Sequence, residues 1–164
     1  MHGSGVVIDF EGTLNFGFSQ IGCIEIKNFK IINVCEITLI EEKRDAILSK
    51  YLNKKVDFLC AHHHTTEKNF IKREMPYTKF TKTGEWGPWV DTEIIYKNLY
   101  PQIKNYKLEN LAKEFLNLSN VNNEVKKYSP NSITKFHNPL YDAFCCFYLI
   151  NRLHEAIDLK KLCI

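Results

Sequence analysis

The sequence is poor in glycine (7) and proline (5), and it contains no internal repeat, low-complexity tract or Pro/Gly/Ser-rich linker. That excludes collagen-like and disordered chains and argues against tethered modules. No long hydrophobic run is present: the longest, Ala143 to Ile150, falls far short of the roughly 20 residues a membrane-spanning helix needs. Met1-His2-Gly3-Ser4 has neither the basic region nor the apolar stretch of an export leader. The six cysteines form no CxxC pair and have no histidine at zinc-finger spacing, so they read as small buried apolar residues of a reducing compartment. A cytoplasmic location without membrane attachment is expected. Charge of one sign is also lacking. Lys and Arg number 22 against 19 Asp and Glu, a surplus of +3 that permits contact with nucleic acid without demanding it.

What the chain has is apolar and ring-bearing residues. Of its 164 residues 45% are hydrophobic, including 11 Phe, 8 Tyr and 2 Trp, enough for a sizeable core in one domain spanning residues 1–164. Residues 1–4 read as a flexible start or tag remnant. The first third is strand-like: Val6-Val7-Ile8, then Ile21 to Ile26 and Ile31 to Leu39, with Asn28 in a hairpin connection. Glu41 to Leu52 predicts a crossover helix and Val56 to Ala61 a strand parallel to the first. A helix capped by Thr65 or Thr66 should stop before Pro76, and Met75 to Pro88 reads as irregular. Trp89 to Thr92 reads as a fifth strand, followed by helices Glu93–Leu99, Leu108–Leu116 and Pro139–Ile157. The last is apolar on nearly all sides and should be the most buried. Strands first and helices afterwards predict an α/β mixed sheet flanked by helices.

Chemistry concentrates at three places. Asp9 and Glu11 stand one residue apart at the end of the first strand, so the period of two puts both carboxylates on one face. Such pairs are often harmless, but these emerge at the carboxyl end of a buried-type strand, where open α/β sheets place ligands. Glu67, in Ala61-His62-His63-His64-Thr65-Thr66-Glu67, follows the neighbouring strand and can face that pair; the bland reading is a solvated acid in a helix's first turn. Three successive histidines diverge and do not suit a single zinc ion. Asp142 sits in an otherwise apolar helix and calls for a partner such as a cation; the bland readings are a salt bridge to Arg152 or a lysine, or an exposed first turn. His137, just before that helix, is placed to act as a base.

In this order the segments resemble the motifs of the DEDDh 3′–5′ exonucleases, the DnaQ-like branch of the ribonuclease H-like superfamily. Val7-Ile8-Asp9-Phe10-Glu11-Gly12-Thr13 resembles the first motif, Ala61 to Glu67 the second and His137 to Asp142 the third. Asp91-Thr92, Tyr100-Pro101 and Tyr106 to Ala112 are similar to the family's connecting segments. The resemblance implies a ribonuclease H-like five-stranded mixed sheet, three antiparallel strands first and then parallel ones. It implies two Mg²⁺ ions, with Mn²⁺ as substitute, on Asp9, Glu11, Glu67 and Asp142, and His137 as the base acting on the attacking water. It further implies a substrate that is single-stranded DNA or RNA with a free 3′ end, contacted by Gly12, Thr13, Leu14 and His63. Glu67 departs from the family's usual Asp, His63 from its frequent Asn and Gly12 from its frequent Thr. Lys68, Lys72, Arg73, Lys79 and Lys82, interleaved with Phe70, Tyr77 and Phe80, read either as a phosphate track or as a solvated surface. The rival readings are a weak or inactive nucleic-acid-binding module and a proofreading-type subunit of a polymerase, working with a protein partner or as a homodimer.

Overall fold

The computed structural model describes residues 3–38, 44–52, 56–75 and 86–164. Strands β1 (Ser4–Thr13), β2 (Gly17–Lys27) and β3 (Lys30–Thr38) form an antiparallel meander. The turn between β2 and β3 is made by Asn28 and Phe29, both at positive φ (50° and 58°), the backbone pattern of a two-residue hairpin. Helix α1 (Arg44–Leu52) then leads to β4 (Phe58–Ala61), which lies parallel to β1, and α2 (Thr65–Glu74) leads to β5 (Trp89–Asp91), parallel to β4. The sheet order is β3-β2-β1-β4-β5. This is the predicted mixed sheet. Helices α3 (Thr92–Leu99), α4 (Leu108–Phe115), α5 (Leu118–Tyr128) and α6 (Pro139–Asn151) complete the chain with a 3-10 turn at Leu159–Leu162. Among the described residues no helix is long and apolar enough to cross a membrane.

Strand alternation divides the core in two. Val7, Ile24 and Ile26 join Cys60 and Val90 beneath α3 to α6. Val6, Ile8, Phe10, Ile21 and Cys23 face the other way, onto Leu48 and Leu52 of α1 and Phe70 and Ile71 of α2. Asp9 and Glu11 share the parity of Val7, so they belong to the α6 side. Helix α6 is buried along almost its whole length, as its all-round apolar composition predicts.

Two helical assignments differ from expectation. The last helix stops at Asn151 rather than Ile157: beyond it the backbone tightens into three-residue turns, Leu153 N–H to the Ile150 carbonyl and Ala156 N–H to the Leu153 carbonyl, while the His154 ring bonds the Asn151 carbonyl at 2.5 Å and stacks on Phe29 at 4.2 Å. Helix α5 has no counterpart in the sequence reading. Asn120, Asn122 and Asn123 are poor helix formers, but Asn117 caps its start by accepting the Asn120 N–H at 3.2 Å, and Val121 and Val125 bury one stripe. The predicted segments at 39–43, 53–55 and 76–85, with Lys79, Lys82, Tyr77 and Phe80, lie outside the described residues.

Candidate active site

Asp9 lies opposite Gly22 in the β1–β2 register. A Cβ on Gly22 would collide with the backbone of Pro139 and Leu140. The bare glycine thus lets the first turn of α6 lie flat on the sheet beside Asp9 and bring Asp142 over it. The approach is fixed from the other side by Asn138. Its Oδ1 accepts the Tyr141 N–H at 3.0 Å, capping α6, while its Nδ2 donates to Glu36 Oε1 on β3 at 2.8 Å. Ser129 and Ser132 hydroxyls donate to the same carboxylate at 3.1 and 3.0 Å. His137, between this anchor and the loop before it, adopts φ 63° and donates its backbone N–H to Asp142 Oδ2 at 3.0 Å.

Ligand atoms of Glu11, His137 and Asp142 consequently lie within 4.8 Å of one another. Asp9 and Glu67 stand outside that tight group yet act on it electrostatically. Asp9 is held well above the carboxylate range by burial and then by the charges of Asp142, Glu67 and Glu11. Glu11 is raised by burial, against the opposing pull of His137. Asp142 is pushed up to about 7 by burial, although the His137 N–H favours its ionised form. Glu67 sits in the first turn of α2, is only 4% exposed, and is pushed up to about 8 by burial with Asp91 and Glu11 adding repulsion.

Four carboxylates gathered this way are costly without a cation, and two of them carry a direct sign of one. Glu67 Oε2 and Asp142 Oδ1 are buried with no hydrogen-bond partner, whereas buried polar atoms are normally satisfied. Hard oxygen donors with one imidazole suit Mg²⁺ or Mn²⁺ better than a soft metal. The residues present therefore fit a divalent ion. The predicted set Asp9, Glu11, Glu67, His137 and Asp142 is brought to one end of the sheet.

The three histidines diverge, as expected. Each uses Nδ1 on a different residue: His62 on Thr92 Oγ1 (2.8 Å), His63 on Glu93 Oε2 (2.8 Å) and His64 on Asp91 Oδ2 (2.7 Å). His63 and His137 line one cleft of ≈ 440 Å³ with Asp142, Lys107 and Phe136. Gly12, Thr13 and Leu14 lie at the β1–β2 hairpin rather than in that cleft. A bulge between Glu11 and Gly12 turns the strand there, and a β-carbon on Gly12 would strike the Gly17 carbonyl. Thr13 is exposed, as are Leu14 (52%) and Phe16 (79%), and Arg73 bonds the Leu14 carbonyl.

Sequence reading missed several contributors. Asp91, 2% exposed, caps α3 by accepting the Glu93 and Ile94 N–H groups while also accepting from His64. Burial opposes its charge, but the hydrogen bonds from His64 and Ile94 keep it below the usual range. An Asp immediately before a helix was the available signal. Gly22 gave a weaker one, a lone glycine inside a β-branched strand. Glu36 had none, because its partners lie far away in the chain; Glu93 had only its pairing with Lys97 four residues on, which says nothing of His63.

No family model matches the chain. Its sequence is 31% identical over 142 residues to the DNA polymerase III PolC-type of Caldanaerobacter subterraneus subsp. tengcongensis, a match that takes in 70% of this chain. The chain spans only 10% of the length of that curated relative. Among solved structures, Exonuclease X in complex with 5′ overhanging duplex DNA matches with a TM-score of 0.61 over 93% of this chain and 92% of the other, at 17% identity. That likeness concerns the fold.

Proposed function

The chain belongs to the DnaQ-like exonuclease family, with its ribonuclease H-like fold, and on that premise we propose that it is a single-domain, metal-dependent 3′–5′ exonuclease. It hydrolyses the terminal phosphodiester of single-stranded DNA or RNA and releases nucleoside monophosphates. The observation that carries this reading is the pair of buried, unpartnered carboxylate oxygens, Glu67 Oε2 and Asp142 Oδ1, beside the converging Glu11, His137 and Asp142. Asp9, Glu11, Glu67 and Asp142 would hold two Mg²⁺ ions, with Mn²⁺ as substitute. When bound, the metal neutralises these carboxylates, activates water and stabilises charge on the attacking and leaving oxygens.

The protein's own groups do the rest. His137 takes the proton of the attacking water on a ring nitrogen, and the bond from its backbone N–H to Asp142 Oδ2 holds the loop that positions it. Gly12 and Thr13 offer backbone to the terminal nucleotide, Leu14 an exposed apolar surface for its base, and His63 a polar contact from the cleft wall. The substrate end is a free 3′ terminus, and the setting is cytoplasmic. The resemblance to a polymerase favours a second reading, a proofreading-type subunit stimulated by a polymerase partner.

The test is a single strand labelled at its 5′ end, as matched DNA and RNA, incubated with Mg²⁺, Mn²⁺ or chelator. Stepwise shortening only with metal is expected, and abolition in Asp142→Ala. Shortening that persists in chelator would sink the metal-dependent mechanism. Turnover that appears only when a polymerase is added would favour the subunit.

A further inference from the structure

Two of the three consecutive histidines have structural work. His64 is mostly covered and shares Asp91 with the cap of α3; the burial of His62 disfavours its charged form and it bonds the buried Thr92. His63 is different. Its backbone lies at φ 61°, a left-handed conformation that a β-carbon disfavours. Its side chain is 62% exposed, where an ion pair with Glu93 adds little to folding. The backbone turn is satisfied, its N–H reaching Asp91 Oδ1 at 3.4 Å and its carbonyl accepting the Thr66 N–H at 3.1 Å, whereas the exposed ring and its pair with Glu93 add little to folding and stand on the wall of the candidate active-site cleft. Glu93 is in turn gripped by Lys97 at 2.6 Å, so it is not a swinging surface acid. Although burial opposes it, hydrogen bonds from Lys97 and His63 keep the Glu93 carboxyl below its usual range.

We propose that Glu93 is a positioning residue for substrate binding, fixing His63 so that its Nε2 meets a backbone phosphate of the single strand entering the cleft. The inference rests on the exonuclease reading above and adds to it a named contact and its support. A carboxylate can only accept, so the proton of the Glu93 bond sits on His63 Nδ1. Lys97 fixes Glu93, Glu93 fixes the ring, and the ring's remaining nitrogen points to the ligand. A phosphate on the far side would need a proton on Nε2 as well, and the ring would then bridge two anions. His63 and Glu93 line the cleft together with Lys107 and Phe136; His62 reaches the same wall, but its Nδ1 is bonded to Thr92, which leaves His63 as the exposed ring.

Fluorescence anisotropy of a labelled single-stranded oligonucleotide, with Ca²⁺ replacing Mg²⁺, reads binding, and steady-state kinetics in Mn²⁺ read turnover. His63→Ala and Glu93→Gln should each weaken binding about tenfold, with KM rising and kcat little changed. The double variant should bind no more weakly than His63→Ala alone, and Glu93→Asp should recover part of the loss. Glu93→Gln binding like wild type, or losses that multiply in the double variant, would overturn the proposal. Wild type that binds but never shortens the strand overturns the exonuclease reading, and the binding comparison still judges Glu93. Wild type that neither binds nor cuts overturns both.

Discussion

Replacing Glu67 by Gln in chelator should raise stability relative to wild type as the pH goes from acid to alkaline. Below pH 4.5, the ordinary value for this carboxyl, it is protonated whether the chain is folded or not. Between there and about 8 the unfolded chain gives up the proton while the folded one keeps it. The folded state then binds more protons, so stability falls as pH rises through this window. At about 1.36 kcal/mol per pH unit the full effect is about 5 kcal/mol, of which about 4 kcal/mol falls between pH 5 and pH 8.5, and relaxation of the site brings that to about 2 kcal/mol. Gln keeps the shape and removes the charge; its unsatisfied amide costs about 1–3 kcal/mol at every pH and cancels when two pH values are compared. One kcal/mol is worth about 2–4 °C in a domain of this size. The Tm of Glu67→Gln relative to wild type should therefore rise by about 4–8 °C between pH 5 and pH 8.5 in EDTA. Saturating Mn²⁺ should remove the advantage by stabilising wild type more. A Tm difference that is the same at both pH values would refute the picture of a desolvated, unpartnered carboxyl.

Gly22→Ala should lower stability by about 1–3 kcal/mol, because the new methyl strikes the Pro139 and Leu140 backbone; thermal melts give the loss, and turnover measured well below the Tm should fall further than stability explains as Asp142 is displaced. His137→Ala should cut turnover by about 10²–10⁴-fold while keeping the Mn²⁺-induced rise in Tm. Equal loss of both would mark His137 as part of the metal's hold rather than as the base.

The antiparallel meander and the parallel crossover were legible because β-branched runs and a period of two mark strands in any surroundings, whereas the place of β5 was implied only by the family resemblance. The same parity placed Asp9 and Glu11 on one face, and α6 was recognisable from a composition that water would not tolerate. Helix α5 was not legible, because its asparagines contradict it locally and only packing of Val121 and Val125 rescues it. The early end of α6 was not legible either, and just past it His154 stacks on Phe29, residues brought together only by the fold. At the site, the acids and His137 could be chosen by residue type. Their support by Gly22, Asn138 and Glu36 could not, since each support acts across a distance in sequence that no local pattern records.

Strand β1 is registered with β4 only from Gly5 to Val7, while its pairing with β2 continues to Thr13. One strand thus serves as two components. Its first half is clamped on both sides and tolerates little exchange. Its far half, past Asp9, is held by a single neighbour and ends in an exposed tip at Leu14 and Phe16. For an engineer this is a natural cut: tips of other sequence and length can be grafted between Thr13 and Gly17, which under the proposed function would retune which strands are accepted, while the seam that carries the fold stays untouched.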